Sequence, residues 1–144
     1  MPIILSADLA MCLHAETITE LVRGDQTICD RAIAAAVGES KLYLSRFDLR
    51  HLFGTDTEAP TVIDEFLKML IAEMAVWKII RLSGTTANDA VYRKAYEDAL
   101  AKLTDIKEGK LTPCDWPYAD AGGEAPVDGN AIAWSGNPKR ENHY

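Results

Sequence analysis

The stretch Thr61-Val62-Ile63-Asp64-Glu65-Phe66-Leu67-Lys68-Met69-Leu70-Ile71-Ala72-Glu73-Met74-Ala75-Val76-Trp77-Lys78-Ile79-Ile80-Arg81-Leu82 decides the fold. Val62, Ile63, Phe66, Leu67, Leu70, Met74, Trp77 and Ile80 recur mostly at the spacing that lines one face of a helix. Met69, Ile71, Ala75, Val76 and Ile79 widen that stripe until most of the circumference is apolar. A helix apolar nearly all round must be surrounded, by its own domain or by neighbouring subunits. Pro60 just before it suits the first turn, where a missing amide costs no hydrogen bond. Asp64 is expected to pair with Lys68 on the helix surface. Glu73 lies among the apolar positions and needs a partner, because a lone buried carboxylate is costly.

Helical periodicity continues on both sides of this stretch. Upstream, Cys29, Ile33, Ala36, Val37, Tyr43, Leu44 and Phe47 form a second stripe, with Asp30, Arg31, Lys41 and Ser45 off it. Asp25 or Thr27 supplies its N-cap after a break at Gly24. Gly38 in mid-helix costs about 1 kcal/mol against Ala, which suggests a close helix crossing there. Nearer the N-terminus, Ser6 is expected to cap a short helix through Leu9 and Leu13. Thr17 and Glu20 have the spacing of a capping box for a turn over residues 16–22. Downstream, Thr86 and Asp89 have the same spacing ahead of a last helix. Its face is Tyr92, Ala95, Tyr96, Ala99, Leu100, Leu103 and Ile106, and Gly109 stops it. The expected fold class is all-α: a small helical bundle with a long central apolar helix and an extended C-terminal arm.

Breaker density sets the domain boundary. Pro113, Pro117, Pro126 and Pro138 crowd the stretch after Lys110, together with Gly122, Gly123, Gly129 and Gly136. No helix survives that composition. The chain therefore divides into a helical domain, residues 1–109, and a Gly/Pro-rich arm, residues 110–144. The arm carries Trp116, Tyr118, Trp134 and Tyr144, and its tip carries Lys139 and Arg140. Exposed tryptophans are a liability unless they dock somewhere. Two readings stay open at this level: the arm folds back over its own bundle, or it anchors on a neighbouring chain.

Composition excludes several classes of function. The chain has 144 residues with 22 acidic and 15 basic side chains, a net charge of −7. Both halves are acidic, −5 over residues 1–109 and −2 over residues 110–144. Neither offers the basic stripe of a specific nucleic-acid binder or the polybasic patch of a membrane-surface protein. Cys12, Cys29 and Cys114 are odd in number and widely spaced, so neither a disulfide framework nor a zinc site is expected, and a reduced cytoplasmic setting is. His14, His51 and His143 lie far apart, with no metal-binding spacing. Asp115, Asp120, Glu124 and Asp128 lack the alternation and the terminal bidentate Glu of a calcium loop. With no nucleophile elbow, phosphate loop or dinucleotide fingerprint, no cofactor and no enzymatic activity are expected.

Taken in order, several segments resemble one family: small proteins encoded among the head-morphogenesis genes of Mu-like prophages and tailed phages. They are the start Ser6-Ala7-Asp8-Leu9 and the helix end Lys41-Leu42-Tyr43-Leu44-Ser45-Arg46-Phe47. Next come Pro60 before a long apolar helix closing in Val76-Trp77-Lys78-Ile79-Ile80-Arg81-Leu82, and the run from Tyr96 to Leu111, which ends Ile106-Lys107-Glu108-Gly109-Lys110-Leu111. The match spans about residues 5–111; the arm departs from the pattern in its length and its Gly/Pro-rich middle.

The family is similar in layout to head–tail connector, adaptor or head-completion proteins. The resemblance implies a structural subunit that forms a ring and joins portal to tail proteins. It also implies a place at the head–tail junction of the virion after assembly in the bacterial host cytoplasm. No active-site residue comes with it. Trp116, Tyr118, Trp134, Lys139, Arg140 and Tyr144 are the candidate interaction residues. The alternative is a bacterial helical regulatory or chaperone-like module that holds a partner helix in an apolar groove.

Overall fold

The computed structural model describes residues 2–84 and 89–119. Along the chain run a 3-10 helix (Ser6–Met11), α1 (Ala15–Val22), α2 (Gln26–Tyr43), α3 (Leu49–Phe53), α4 (Glu65–Ser83) and α5 (Asp89–Lys107). The protein is all-α, a helical bundle. Three aspartates start three of the helices by accepting orphan amides of the first turn. Asp25 caps α2 through the Thr27 amide, Asp48 caps α3 through those of Arg50 and His51, and Asp64 caps α4 through those of Phe66 and Leu67.

Several helix starts differ from expectation. Ser6 does not cap the first segment; the Asp8 carboxylate reaches back to the Leu5 amide at 2.7 Å instead. α1 begins at Ala15, which puts Thr17 inside the helix and leaves no capping box for it and Glu20 to form. α4 begins at Glu65 rather than at Pro60. Asp64, the residue before Glu65, is extended (φ −119°, ψ 109°) and so ends any helical path from Pro60, while the amides of Thr61 and Val62 bond to the His51 carbonyl at 3.0 and 3.2 Å. Ile63 consequently lies outside the helix and is exposed. The expected box of Thr86 and Asp89 falls outside the described residues.

α2, α4 and α5 form the centre of the bundle. Phe66 lies under Lys102 and Trp77 beside Tyr96, so α4 and α5 run antiparallel. Ser40 contacts Met74 and Glu39 contacts Lys78, which brings α2 along a second side of α4. α1 and the 3-10 helix pack on α4 as well. Leu67, Leu70, Ile71, Ala72, Met74, Ala75, Val76 and Ile79 are each no more than 1% exposed, all within one chain. Cys29, Ala32 and Ala36 of α2 and Ala99, Leu103 and Ile106 of α5 close over them. Small residues on the facing helices let the three axes approach closely enough to exclude water.

Gly38 does not mark a helix crossing: a Cβ built there meets no atom within 4 Å. It opens instead onto a groove between α2 and the N-terminal segment.

One polar clamp ties the three helices together. The Glu39 carboxylate of α2 accepts from Lys78 Nζ of α4 and from the Tyr96 hydroxyl of α5, both at 2.6 Å. Burial opposes the charged form of Glu39, but these two hydrogen bonds and the Lys78 charge outweigh it and hold the carboxyl below its ordinary range. Burial and the same carboxylate push the Tyr96 hydroxyl up to about 12, so it stays a donor at any ordinary pH. A carboxylate whose folded pKa is depressed contributes stability above its unfolded pKa and loses it as pH falls through the folded one. Glu39→Gln is expected to cost about 1–2 kcal/mol in neutral urea denaturation, since both ends of the pair are only partly buried. That deficit should shrink as pH drops below about 4. A deficit that grows on acidification would contradict the assignment.

Candidate interaction site

After α5 the chain turns at Gly109, whose φ of +79° is a left-handed conformation that favours glycine. It then returns to the bundle. The Asp48 amide donates to the Pro117 carbonyl at 2.8 Å and the Ala119 amide to the Arg46 carbonyl at 3.0 Å. Phe47 and Tyr118 thereby form one antiparallel bridge. Residues 116–119 act as a strap across the end of α2 and the start of α4.

The strap is held by aromatic packing and one charged acceptor. Trp116 is 3% exposed and stands edge-on to Phe47, with ring centroids 5.3 Å apart and planes at 80°. Tyr118 stacks on the same ring at 5.1 Å. Trp116 Nε1–H donates to Asp64 Oδ2 at 2.5 Å, while Asp64 Oδ1 accepts the Phe66 and Leu67 amides. One carboxylate therefore both starts α4 and fixes the strap, accepting all three bonds. Arg46 lays its guanidinium 5.0 Å from the Phe47 ring and 5.9 Å from that of Tyr118. Its buried Nε has no hydrogen-bond partner among the described residues. Stacking on the rings accounts for its place there.

Around this latch several apolar side chains stay in water: Ile63, Phe66, Leu111 and Tyr118 are each 38–74% exposed. Ile63 and Phe66 flank Asp64 at the start of α4. Leu111 follows the end of α5, which meets that start because the two helices are antiparallel. The strap end of the bundle therefore presents an apolar, aromatic rim.

Of the expected interaction residues, Trp116 lies where the first of the two open readings puts it, against its own bundle. It is buried by its own chain and bonded to Asp64. Tyr118 is partly spent on Phe47 but keeps 40% of its surface exposed. Trp134, Lys139, Arg140 and Tyr144 lie outside the described residues. Sequence reasoning missed Asp64, Arg46 and Phe47 as parts of one site. The signal for Asp64 was present, an Asp directly before an apolar helical run. Placing the helix start at Pro60 hid it. Lys68 pairs with Glu65, at 3.5 Å, not with Asp64.

Other reactive groups are dispersed. Burial, then the Glu73 charge, pushes the half-buried Cys12 thiol up to about 11. Burial and Asp30 raise that of Cys29, which is enclosed in α2, and Cys114 is exposed. These two early cysteines serve as small apolar residues. Burial, then Asp98, raises the Glu73 carboxyl, with Lys102 opposing; Glu73 has no hydrogen bond or ion pair among the described residues. His51 Nδ1 sits 2.7 Å from Asp48 Oδ2 beside the α3 cap. Among the described residues no group of His, Cys, Asp or Glu is placed to hold a metal ion, and no helix is long and apolar enough to cross a membrane.

The latch makes a quantitative prediction. In a double-mutant cycle on Asp64→Ala and Trp116→Phe, urea denaturation should yield a coupling of about 1–2 kcal/mol. Strict additivity would mean the bond stabilises nothing. The thiols give a second prediction. In the folded protein Cys114 should react with an aromatic disulfide reagent promptly, and Cys12 and Cys29 only on unfolding; equal rates for Cys29 and Cys114 would refute the core assignment.

No family model, curated protein or solved structure matches the chain.

Proposed function

We propose that this protein is a structural subunit of a tailed-phage or prophage head–tail connector, which self-associates in a ring and joins portal to tail proteins. The observation that carries the reading is the ordered run of family-like segments from Ser6 to Leu111 in an all-α chain. Two of those segments touch each other. Lys107 Nζ lies 5.9 Å from the Tyr43 ring, and Arg46 Nη1 sits 3.5 Å from where a Gly109 side chain would begin. Residues that are far apart in the resemblance thus share one structural joint at the strap end.

The mechanism is docking by shape and charge. The exposed Ile63, Phe66 and Leu111 offer an apolar centre for a neighbouring subunit, and a stable interface needs only about 800 Å² from each partner. The strap supplies rigidity at that end, because Trp116 and Tyr118 pack on Phe47 and fix residues 116–119 to the bundle. The rest of the arm carries Trp134, Lys139, Arg140 and Tyr144 to partner proteins. The charge of −7 keeps the free subunit soluble until capture.

A second reading, a helical module that binds a partner segment, draws on a different observation: the groove of about 690 Å³ between α2 and the N-terminal residues. Such volumes suit bound apolar side chains.

The test uses a lysogen that carries the gene. Removing the chain should leave DNA-filled heads without tails, and Ile63→Glu with Phe66→Glu should give the same particles from a folded protein. Normal tailed, infectious particles from the deletion would overturn the connector reading.

A further inference from the structure

We propose that two copies of this chain pair in solution through the groove between α2 and the N-terminal segment, with their α2 helices antiparallel about a two-fold axis. The inference uses the groove and not the strap end, so it stands whether or not the connector reading does.

The groove takes its character from one face of α2. Asp30, Ile33, Ala34, Val37, Gly38 and Lys41 line it, at the three- and four-residue steps that keep side chains on one side of a helix. Asp30 and Lys41 are the charged ends of this face, about 16 Å apart at the helical rise. Neither makes an ion pair among the described residues. Asp30 accepts from Gln26 at 3.5 Å, and Lys41 lies 5.4 Å from the centre of the Phe53 ring.

The order of residues along the face is its own complement. When two such faces meet antiparallel, with the axis beside the middle of the stretch, Asp30 meets the second copy's Lys41, and Lys41 meets the second copy's Asp30. In the same register Ile33 meets Gly38 and Val37 meets Ala34, so each branched side chain faces a small one. Gly38 gains a reason from this. A glycine in mid-helix is disfavoured by about 1 kcal/mol against Ala. Gly38 has no left-handed φ, and nothing lies within 4 Å of where its Cβ would be. The open space is what the second copy's Ile33 requires.

This self-complementarity selects the occupant. A foreign partner would need an independently matched charge order, whereas a second copy carries the match at both ends, because two-fold pairing repeats every contact. The third charge in the lining, Asp56, lies on the loop after α3 and not on the pairing face. Leu5 in the lining and Leu42 beside Lys41 are 58% and 72% exposed, and pairing would take this apolar surface from water. A face this short falls below the roughly 20–30 residues that each side of a standard interface contributes, so the dimer is weak and reversible.

The experiment is sedimentation equilibrium of the full chain. Between about 1 µM and about 1 mM the mass should pass from one chain to two. Asp30→Lys and Lys41→Asp each turn both end contacts from attraction to repulsion, and each should raise the dissociation constant about tenfold or more with the helical dichroism unchanged. Mixed together, the two variants should pair again, because the cationic face of one then meets the anionic face of the other. Gly38→Leu should abolish pairing by filling the space for Ile33. If Lys41→Asp alters the dichroism through its contact with Phe53, Asp30→Lys and Gly38→Leu decide. A chain that stays monomeric throughout, or a dimer that survives Asp30→Lys or Gly38→Leu, overturns the proposal. So does a mixture of folded charge variants that does not pair, or a dimer lost in Ile63→Glu with Phe66→Glu, which would place the contact at the strap end. The connector reading is untouched by any of these results, since it falls only with the lysogen test.

Discussion

A helix with apolar residues around most of its circumference is tolerable in water only if nearly every side is covered, and α4 imposes that condition on the whole chain. α2 and α5 cover two sides through small residues that let the axes come close. α1 and the 3-10 helix cover more. The first turn of α4 remains, and the chain closes it with the strap: Trp116 lies against Phe47 and bonds to the same carboxylate that starts the helix. The polar groups obey the same condition. Glu39 enters the bundle only because Lys78 and Tyr96 meet it there, and the neighbourhood of Glu73, which has no such partner among the described residues, disfavours its charge.

Asp64 joins two levels of organisation. As an N-cap it satisfies two orphan amides of α4; as an acceptor for the Trp116 indole it fixes the strap to the bundle. Loss of the strap would expose the Phe47 ring and leave one oxygen of Asp64 without its indole. The arm is therefore coupled to the core by the helix start itself, and the exposed rim of Ile63, Phe66 and Leu111 surrounds that junction.

Much of the fold was legible because its signals are local. The 3.6-residue period marked α2, α4 and α5, and Asp25 was one of two caps proposed for α2. Some errors come from contacts between residues distant in sequence, others from a neighbouring residue that wins a local competition. Pro60 looked like a helix start, but Asp64 is extended and caps the helix, while the Thr61 and Val62 amides bond to His51. Thr17 and Glu20 had capping-box spacing, yet α1 starts at Ala15. Trp116 could be read either as covering its own bundle or as an anchor for a neighbour, because its partners Phe47 and Asp64 lie more than fifty residues upstream. Gly38 was noticed for its cost, but the space above it depends on the N-terminal segment, which periodicity does not place.

The central claim is that α4, closed by the strap, is the element on which the bundle depends. Site-resolved amide hydrogen exchange tests it most directly. Amides in the middle of α4, around Leu70 to Val76, should exchange only at the free energy of global unfolding, well above those of α1. In Trp116→Ala the first hydrogen-bonded amides of α4, near Lys68, should fall to a lower, local opening energy while the middle keeps the new global value. If the middle of α4 instead exchanges through local opening, at free energies no higher than α1, the helix is not what the rest of the structure is built around.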